Sequence, residues 1–353
     1  MTELEVIAEQ LRQAYRPEDV FGPLTEAKRT FRRLARATHP DRHPEPLRAL
    51  AEEAFKLLQH LWERAEVRLK AGLYGRPEIA EIPTKHHTYT VLSEYRRGDL
   101  ATLYDCQNEL NEPFLLKLGR HPRNNDLLAA EIRHLKQIHS SDAPHEELRP
   151  FVPQVVDSFM VREPGTTVNR QASVLPHYAG WYTLGEVMQE YPTGIDPKDM
   201  AWMWRRLLTA IGFAHCNNLV HGAVLPPHIL IEPELHGLVL IDWSYSVPTG
   251  QPLRALPADY ADWYPLEVSE KRPSTHGLDI YLAASCMVAV LGGPASTAAP
   301  RGIKAFLRGC RLPHPQQRPQ GAWELLEEFD ELLEKLWGPR RFHPFYMNGR
   351  KEN

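Results

Sequence analysis

Near Thr88 the hydrophobic pattern of this chain changes its period, and that change limits the folds it can adopt. Before Thr88, apolar residues recur at helical spacing. After it come short apolar runs: Tyr89-Thr90-Val91-Leu92, Leu103-Tyr104-Asp105-Cys106 and Phe114-Leu115-Leu116-Lys117-Leu118. A helical pattern returns from Asp126 to Ile138, and extended segments follow near Phe151 to Val161 and Ala172 to His177. From about Pro197 to Trp337 the chain reads as mainly helical, interrupted by Ile229-Leu230-Ile231 and Val239-Leu240-Ile241. A strand-rich stretch followed by a helical one implies an α+β body with two lobes. With an all-α segment ahead of it, and 353 residues in total, the chain reads as multi-domain.

The expected boundaries are residues 1–72 for the helical domain and 73–87 for a linker or an added strand. The body then runs over 88–338, its smaller part about 88–177 and its larger part about 178–338. Residues 339–353 form a tail with four basic residues, flexible or docked.

Composition excludes several classes. Hydrophobic content of 42% and charged content of 24% are those of an ordinary soluble protein. A net charge of −4 argues against wholesale nucleic-acid binding. The four cysteines are scattered without Cys-x-x-Cys spacing, which favours a reducing compartment and excludes a cysteine-ligated zinc module. No signal peptide is visible at the N-terminus. The uncharged run Ile280 to Pro300 is broken by Gly292-Gly293-Pro294, so it reads as a buried helix. No membrane partner follows, and a cytoplasmic location is expected.

Within the first domain, Thr25 is a candidate N-cap for a helix running to about Ala37. Ala27, Phe31, Leu34 and Ala35 line one face of it, while Lys28, Arg29, Arg32, Arg33 and Arg36 share the other. A second helix repeats Leu47, Leu50, Ala54, Leu58, Leu61, Ala65 and Leu69, and the connecting loop carries His39-Pro40-Asp41. From about Asp19 to Leu69 the pattern resembles the J domain of DnaJ-type co-chaperones, although Asp19-Val20-Phe21-Gly22 departs from that family's usual first helix. The resemblance implies that the basic face and His39, Pro40 and Asp41 dock on a DnaK-type chaperone and stimulate its ATP hydrolysis. Arginines would steer an acidic partner, and an Asp in a short loop would make a directional contact.

From Tyr89 onward the chain resembles the protein-kinase family over about 250 residues. Arg96-Arg97-Gly98-Asp99-Leu100-Ala101 stands where the glycine-rich phosphate loop would, and keeps one glycine, Gly98. Lys117 in an apolar strand and Glu131 on the following helix match the phosphate-positioning pair, since a Lys in such a strand is costly unless paired. Ile241-Asp242-Trp243-Ser244 offers Asp242 as a Mg²⁺ ligand. The catalytic loop departs: His221 and Pro226 match, but Gly222 and Ala223 replace the family's Arg and Asp, and His228 replaces its Asn. Ala223 cannot take a proton, so the ordinary mechanism lacks its base. Glu267 in Pro265-Leu266-Glu267 would pair with Arg318, and Asp279 opens the apolar helix at the base of the larger part.

His86, His87, His121, His134, His139 and His145 read as surface residues without metal spacing. Trp181, Trp202 and Trp204 read as packing residues. His228 faces the implied ATP, either as a ligand or as a space-filling ring.

The leading reading is a J-domain pseudokinase adaptor whose body binds a client or regulatory protein or senses nucleotide. An active atypical ATP-dependent protein kinase and an inert scaffold without nucleotide remain as alternatives.

Overall fold

The computed structural model describes residues 2–14, 17–70, 72, 74–75, 81–140, 144–162 and 168–347. Part of the expected linker, residues 73 and 76–80, and the tail beyond 347 lie outside the described residues. The chain divides into two compact units, Met1–Glu94 and Tyr95–Asn353. Helix and antiparallel sheet are both present.

The first unit is a helical cluster of α1 (Glu3–Gln13), α2 (Pro17–Phe21), α3 (Ala27–Thr38) and α4 (Arg48–Lys70). Its α1 begins at a capping box in which Thr2 and Glu5 each satisfy the other's backbone N–H. Thr25 does not cap α3. The helix begins at Ala27, and Glu26 precedes it in an α-helical conformation without a side-chain cap bond.

Leu4, Ile7 and Leu11 of α1 share one core with Leu34 of α3 and with Leu58, Leu61 and Ala65 of α4. Burying a leucine of this kind contributes about 1.5–3 kcal/mol. Phe31 stacks on Trp62 with ring centroids 4.4 Å apart, and Phe21 meets Trp62 edge-on at 5.2 Å. The unit also holds β1 (Glu81–Pro83), antiparallel to β2 (Thr88–Arg97), whose last residues cross the division between units.

In the second unit a tight turn, closed by the Gly98 N–H on the Ala101 carbonyl at 2.9 Å, leads into β3 (Ala101–Gln107). β4 (Pro113–Gly119) pairs antiparallel with β3, placing Leu103 opposite Lys117. α5 (Asn125–Ile138) follows, then β5 (Asp157–Arg162) and β6 (Asn169–Pro176). β6 pairs with both β4 and β5. The expected strand near Phe151 starts later, because Glu146–Phe151 form a 3₁₀ turn.

Next come β7 (Tyr182–Thr183), α6 (Leu184–Glu190), α7 (Pro197–Cys216) and β8 (Leu219–Val220). β9 (Ile229–Glu232) and β10 (Gly237–Leu240) form a small sheet with β7, and β11 (Val247–Pro248) pairs with β8. The chain then forms α8 (Leu266–Ser269), α9 (His276–Val290), α10 (Arg301–Cys310) and α11 (Ala322–Trp337).

Helices α7 and α9 are buried almost all round, with Met203, Trp204, Leu207, Ile280, Leu282 and Met287 fully covered. No described helix is long and apolar enough to cross a membrane. Part of the C-terminal stretch is docked: Phe345 and Met347 are buried, and the His236 ring is sandwiched between Trp202 at 4.1 Å and Phe342 at 4.5 Å.

Candidate functional site

Two regions gather the candidate residues, one in each unit. In the first, α3 turns its apolar residues into the core, so Lys28, Arg29, Arg32, Arg33 and Arg36 are all exposed. With Arg42 and His43 they line an open groove. The helix ends at His39, whose extended backbone breaks it, and a 3₁₀ turn of Pro40–Arg42 follows. Pro40 sits at the first position of that turn, where a missing N–H costs nothing.

The His39 Nδ1 accepts the Asp41 N–H at 3.3 Å, and the ring lies edge-on to Phe55 at 5.5 Å. His43 Nε2 donates to the Ala37 carbonyl at 2.7 Å, tying the loop back to α3. Asp41 is left outward, with its side chain 73% exposed and Arg48 3.6 Å away. The arrangement presents an imidazole, a carboxylate and a row of cations to solvent.

The second region is a cleft of about 310 Å³ in the second unit. Leu103, Leu115 and Leu175 of the larger sheet line it, together with Tyr178, Trp181, Leu230 and Ile241. Trp181 is therefore a half-buried cleft residue, while Trp202 and Trp204 are core. At its polar end Lys117 and Glu131 are brought together. Lys117 Nζ donates to Glu131 at 2.9 Å, to Asp242 Oδ1 at 2.7 Å and to Ser244 Oγ at 2.9 Å. That uses all three ammonium donors.

Glu131 also accepts the Trp243 N–H and the Ser244 hydroxyl, each at 3.0 Å. Burial alone would lower Lys117, but Asp242 and Glu131 outweigh it and hold the ammonium above its ordinary value. Burial would raise Asp242, yet Lys117 and His228 hold that carboxyl well below the usual carboxylate range.

Asp242 is in the left-handed region at φ 59° and aims its second oxygen at His228, with Nε2 3.3 Å from Oδ2. The other His228 nitrogen, Nδ1, donates to the Ala223 carbonyl at 2.8 Å. Ala223 is fully buried and supplies no ionisable group where the resemblance expects the base. Gly222 has φ +73°, and a Cβ there would stand 2.6 Å from Leu253 and 3.0 Å from the Tyr245 carbonyl. Glycine is thus required by this backbone. Asp279, fully buried in α9, accepts the N–H groups of His221 and Gly222 at 2.8 Å each. His215 also reaches it at 3.1 Å. Burial would raise that carboxyl, but His215, the His221 ring and the Gly222 N–H leave it lowered.

Gly98 sits at the rim, where its carbonyl accepts from Arg120 at 3.1 Å. The side chains beside it are engaged, Arg96 with Glu186 at 2.9 Å and Asp99 with the Ala258 N–H at 3.3 Å. Arg318 makes a bidentate pair with Glu267, both side chains nearly buried, and the guanidinium lies over Tyr281 at 4.6 Å.

Mg²⁺ wants oxygen donors in octahedral array. Here a nitrogen stands beside Asp242, and among the described residues no group of three or more His, Cys, Asp or Glu could hold a metal ion. Magnesium needs only one or two protein oxygens beside phosphate, and on this side of Asp242 the neighbour is a nitrogen, which suits it poorly. ATP phosphates could still reach Lys117 by taking the place of Asp242, the most exposed of its three acceptors.

One histidine expected at the surface is buried. His134 accepts or donates at Ser246 Oγ, 2.8 Å away, and burial lowers it to about 4. His87 and His139 are half-buried. Ser244, the residue that completes the Lys117 shell, escaped sequence reasoning because a serine after Asp-Trp carries no pattern of its own. No protein-family model matches this chain, and no curated protein matches it.

Proposed function

We propose that this chain is a chaperone-recruiting adaptor. Its first unit acts as a J domain that docks on a DnaK-type chaperone and stimulates its ATPase. Its second unit is a kinase-like, two-lobed body that senses nucleotide or holds a client protein, and it transfers no phosphate. The observation that carries the reading is the exposure of His39 and Asp41, on either side of a half-buried Pro40, at the end of a helix whose five cations all face water. A motif built for packing would turn its polar groups inward. This one has few internal bonds and leaves Asp41 outward.

The second unit supports the same reading from another side. It keeps a paired lysine at the cleft, yet Ala223 leaves no base to activate a hydroxyl. Joining the units in one chain raises the effective concentration of whatever the body holds at the chaperone. A cytoplasmic setting is part of this proposal.

The test is single-turnover ATP hydrolysis by a DnaK-type chaperone with the full chain and with His39→Gln. Stimulation by the wild type and its loss in the variant, with unchanged circular dichroism, is the expected result. Equal stimulation by both proteins rejects the assignment.

A further inference from the structure

Asp242 is already engaged on both oxygens. Lys117 Nζ holds Oδ1 at 2.7 Å, and His228 Nε2 stands 3.3 Å from Oδ2. The imidazole is firmly seated there. Its Nδ1 donates to the Ala223 carbonyl at 2.8 Å, while the His228 backbone N–H reaches the Leu225 carbonyl and the His228 backbone carbonyl accepts the Ile241 N–H, each at 2.9 Å. Tyr245 lies near-parallel to the ring, with centroids 6.2 Å apart. The Ala223 carbonyl can only accept, so Nδ1 is the donor there, and the ring's Nε2 edge stands against the Asp242 carboxylate at 3.3 Å. An ion binding Oδ2 would have to displace that ring.

We infer that the cleft takes a nucleoside triphosphate without a divalent cation, His228 occupying the side of Asp242 that a metal ion would need. The inference rests on the nucleotide reading proposed above. Among the acceptors of Lys117, the Glu131 side chain is 2% and Ser244 1% exposed, whereas the Asp242 side chain is 28% exposed and borders the cleft. An incoming phosphate therefore exchanges with Asp242 for Lys117, while His228 keeps hold of the released carboxylate. The phosphate charge is met by a side-chain cation already in place, and no hydrated metal has to be dehydrated.

The experiment is calorimetric titration of the full chain with ATP in EDTA, in Mg²⁺ and in Mn²⁺. The wild type is expected to bind with dissociation constants that agree within about twofold across the three conditions. In His228→Asn an amide oxygen replaces the ring, and Mg²⁺ should then tighten ATP binding by about tenfold or more. His228→Ala, measured beside it, removes the ring without adding a ligand and should weaken binding in EDTA.

Wild-type binding that either cation strengthens tenfold overturns the inference and leaves the nucleotide reading standing. ATP that binds in none of the three conditions overturns the nucleotide reading itself.

Discussion

The loop at His39 and the cleft at Lys117 are both clusters of charged groups, and they treat those groups in opposite ways. In the loop the side chains of His39 and Asp41 are 47% and 73% exposed. In the cleft Lys117 and Glu131 are 7% and 2% exposed, and every ammonium donor has a partner within the chain. An exposed charge loses little on folding and is free to meet a partner, whereas a buried charge must find its partner internally or destabilise the fold. The first cluster is therefore built for contact with another molecule. The second holds the polar end of a cleft in shape, and any ligand must compete with bonds already made.

The largest expected effect tests the buried side of this comparison. Lys117→Met strands Glu131 and should destabilise the second unit by roughly 3–5 kcal/mol in urea unfolding. Tryptophan fluorescence follows that unit, since Trp62 is the chain's one tryptophan outside it. A cost as small as that of an exposed charge would erase the contrast.

A second effect comes from pH. Burial holds His221 down to about 4, so the folded chain keeps it neutral while the unfolded chain protonates it near its ordinary value. The unfolded state then binds more protons between about 6.5 and 4, and stability rises with pH across that window. The contribution is complete above about pH 6.5 and is lost toward pH 4, on the order of 3 kcal/mol. His221→Asn should flatten that part of the pH–stability curve.

Third, Gly222→Ala forces a side chain into the left-handed region against the Tyr245 carbonyl and should cost about 1–3 kcal/mol. The same substitution at Gly250 also meets a positive φ but open space, and should cost less. The smallest effect belongs to the loop. Arg48→Ala removes an exposed partner of Asp41 at 3.6 Å and should change stability by less than about 0.5 kcal/mol. A larger loss would mean that the loop is braced from within.

Much of the scaffold was legible because local period encodes which face is apolar. The stripe Ala27, Phe31, Leu34 and Ala35 turns inward on α3, and the cations opposite it face water. The short apolar runs Leu103 to Cys106 and Phe114 to Leu118 became β3 and β4. Lys117 in an apolar strand announced a need for a carboxylate, and Glu131, set among the apolar residues of the helix that follows, supplied it. Backbone exceptions were less legible. Thr25 has the chemistry of a cap, yet the chain enters α3 through Glu26, after a turn in which the Glu26 and Ala27 N–H groups bond to the Pro23 carbonyl.

By itself, then, the sequence determined the helical and strand periods, the loop that carries His39-Pro40-Asp41 and the lack of a carboxylate at Ala223. Each of these depends on residue identity and on neighbours a few positions away. Only the tertiary structure decided that Asp242 is shared by Lys117 and His228, that Ser244 closes the shell, that His134 is buried on Ser246 and that Phe345 docks near Trp202. Their partners lie from 14 to more than 100 positions apart along the chain. Such contacts are chosen by how whole elements pack, because a buried donor or acceptor takes whichever group the fold brings within reach.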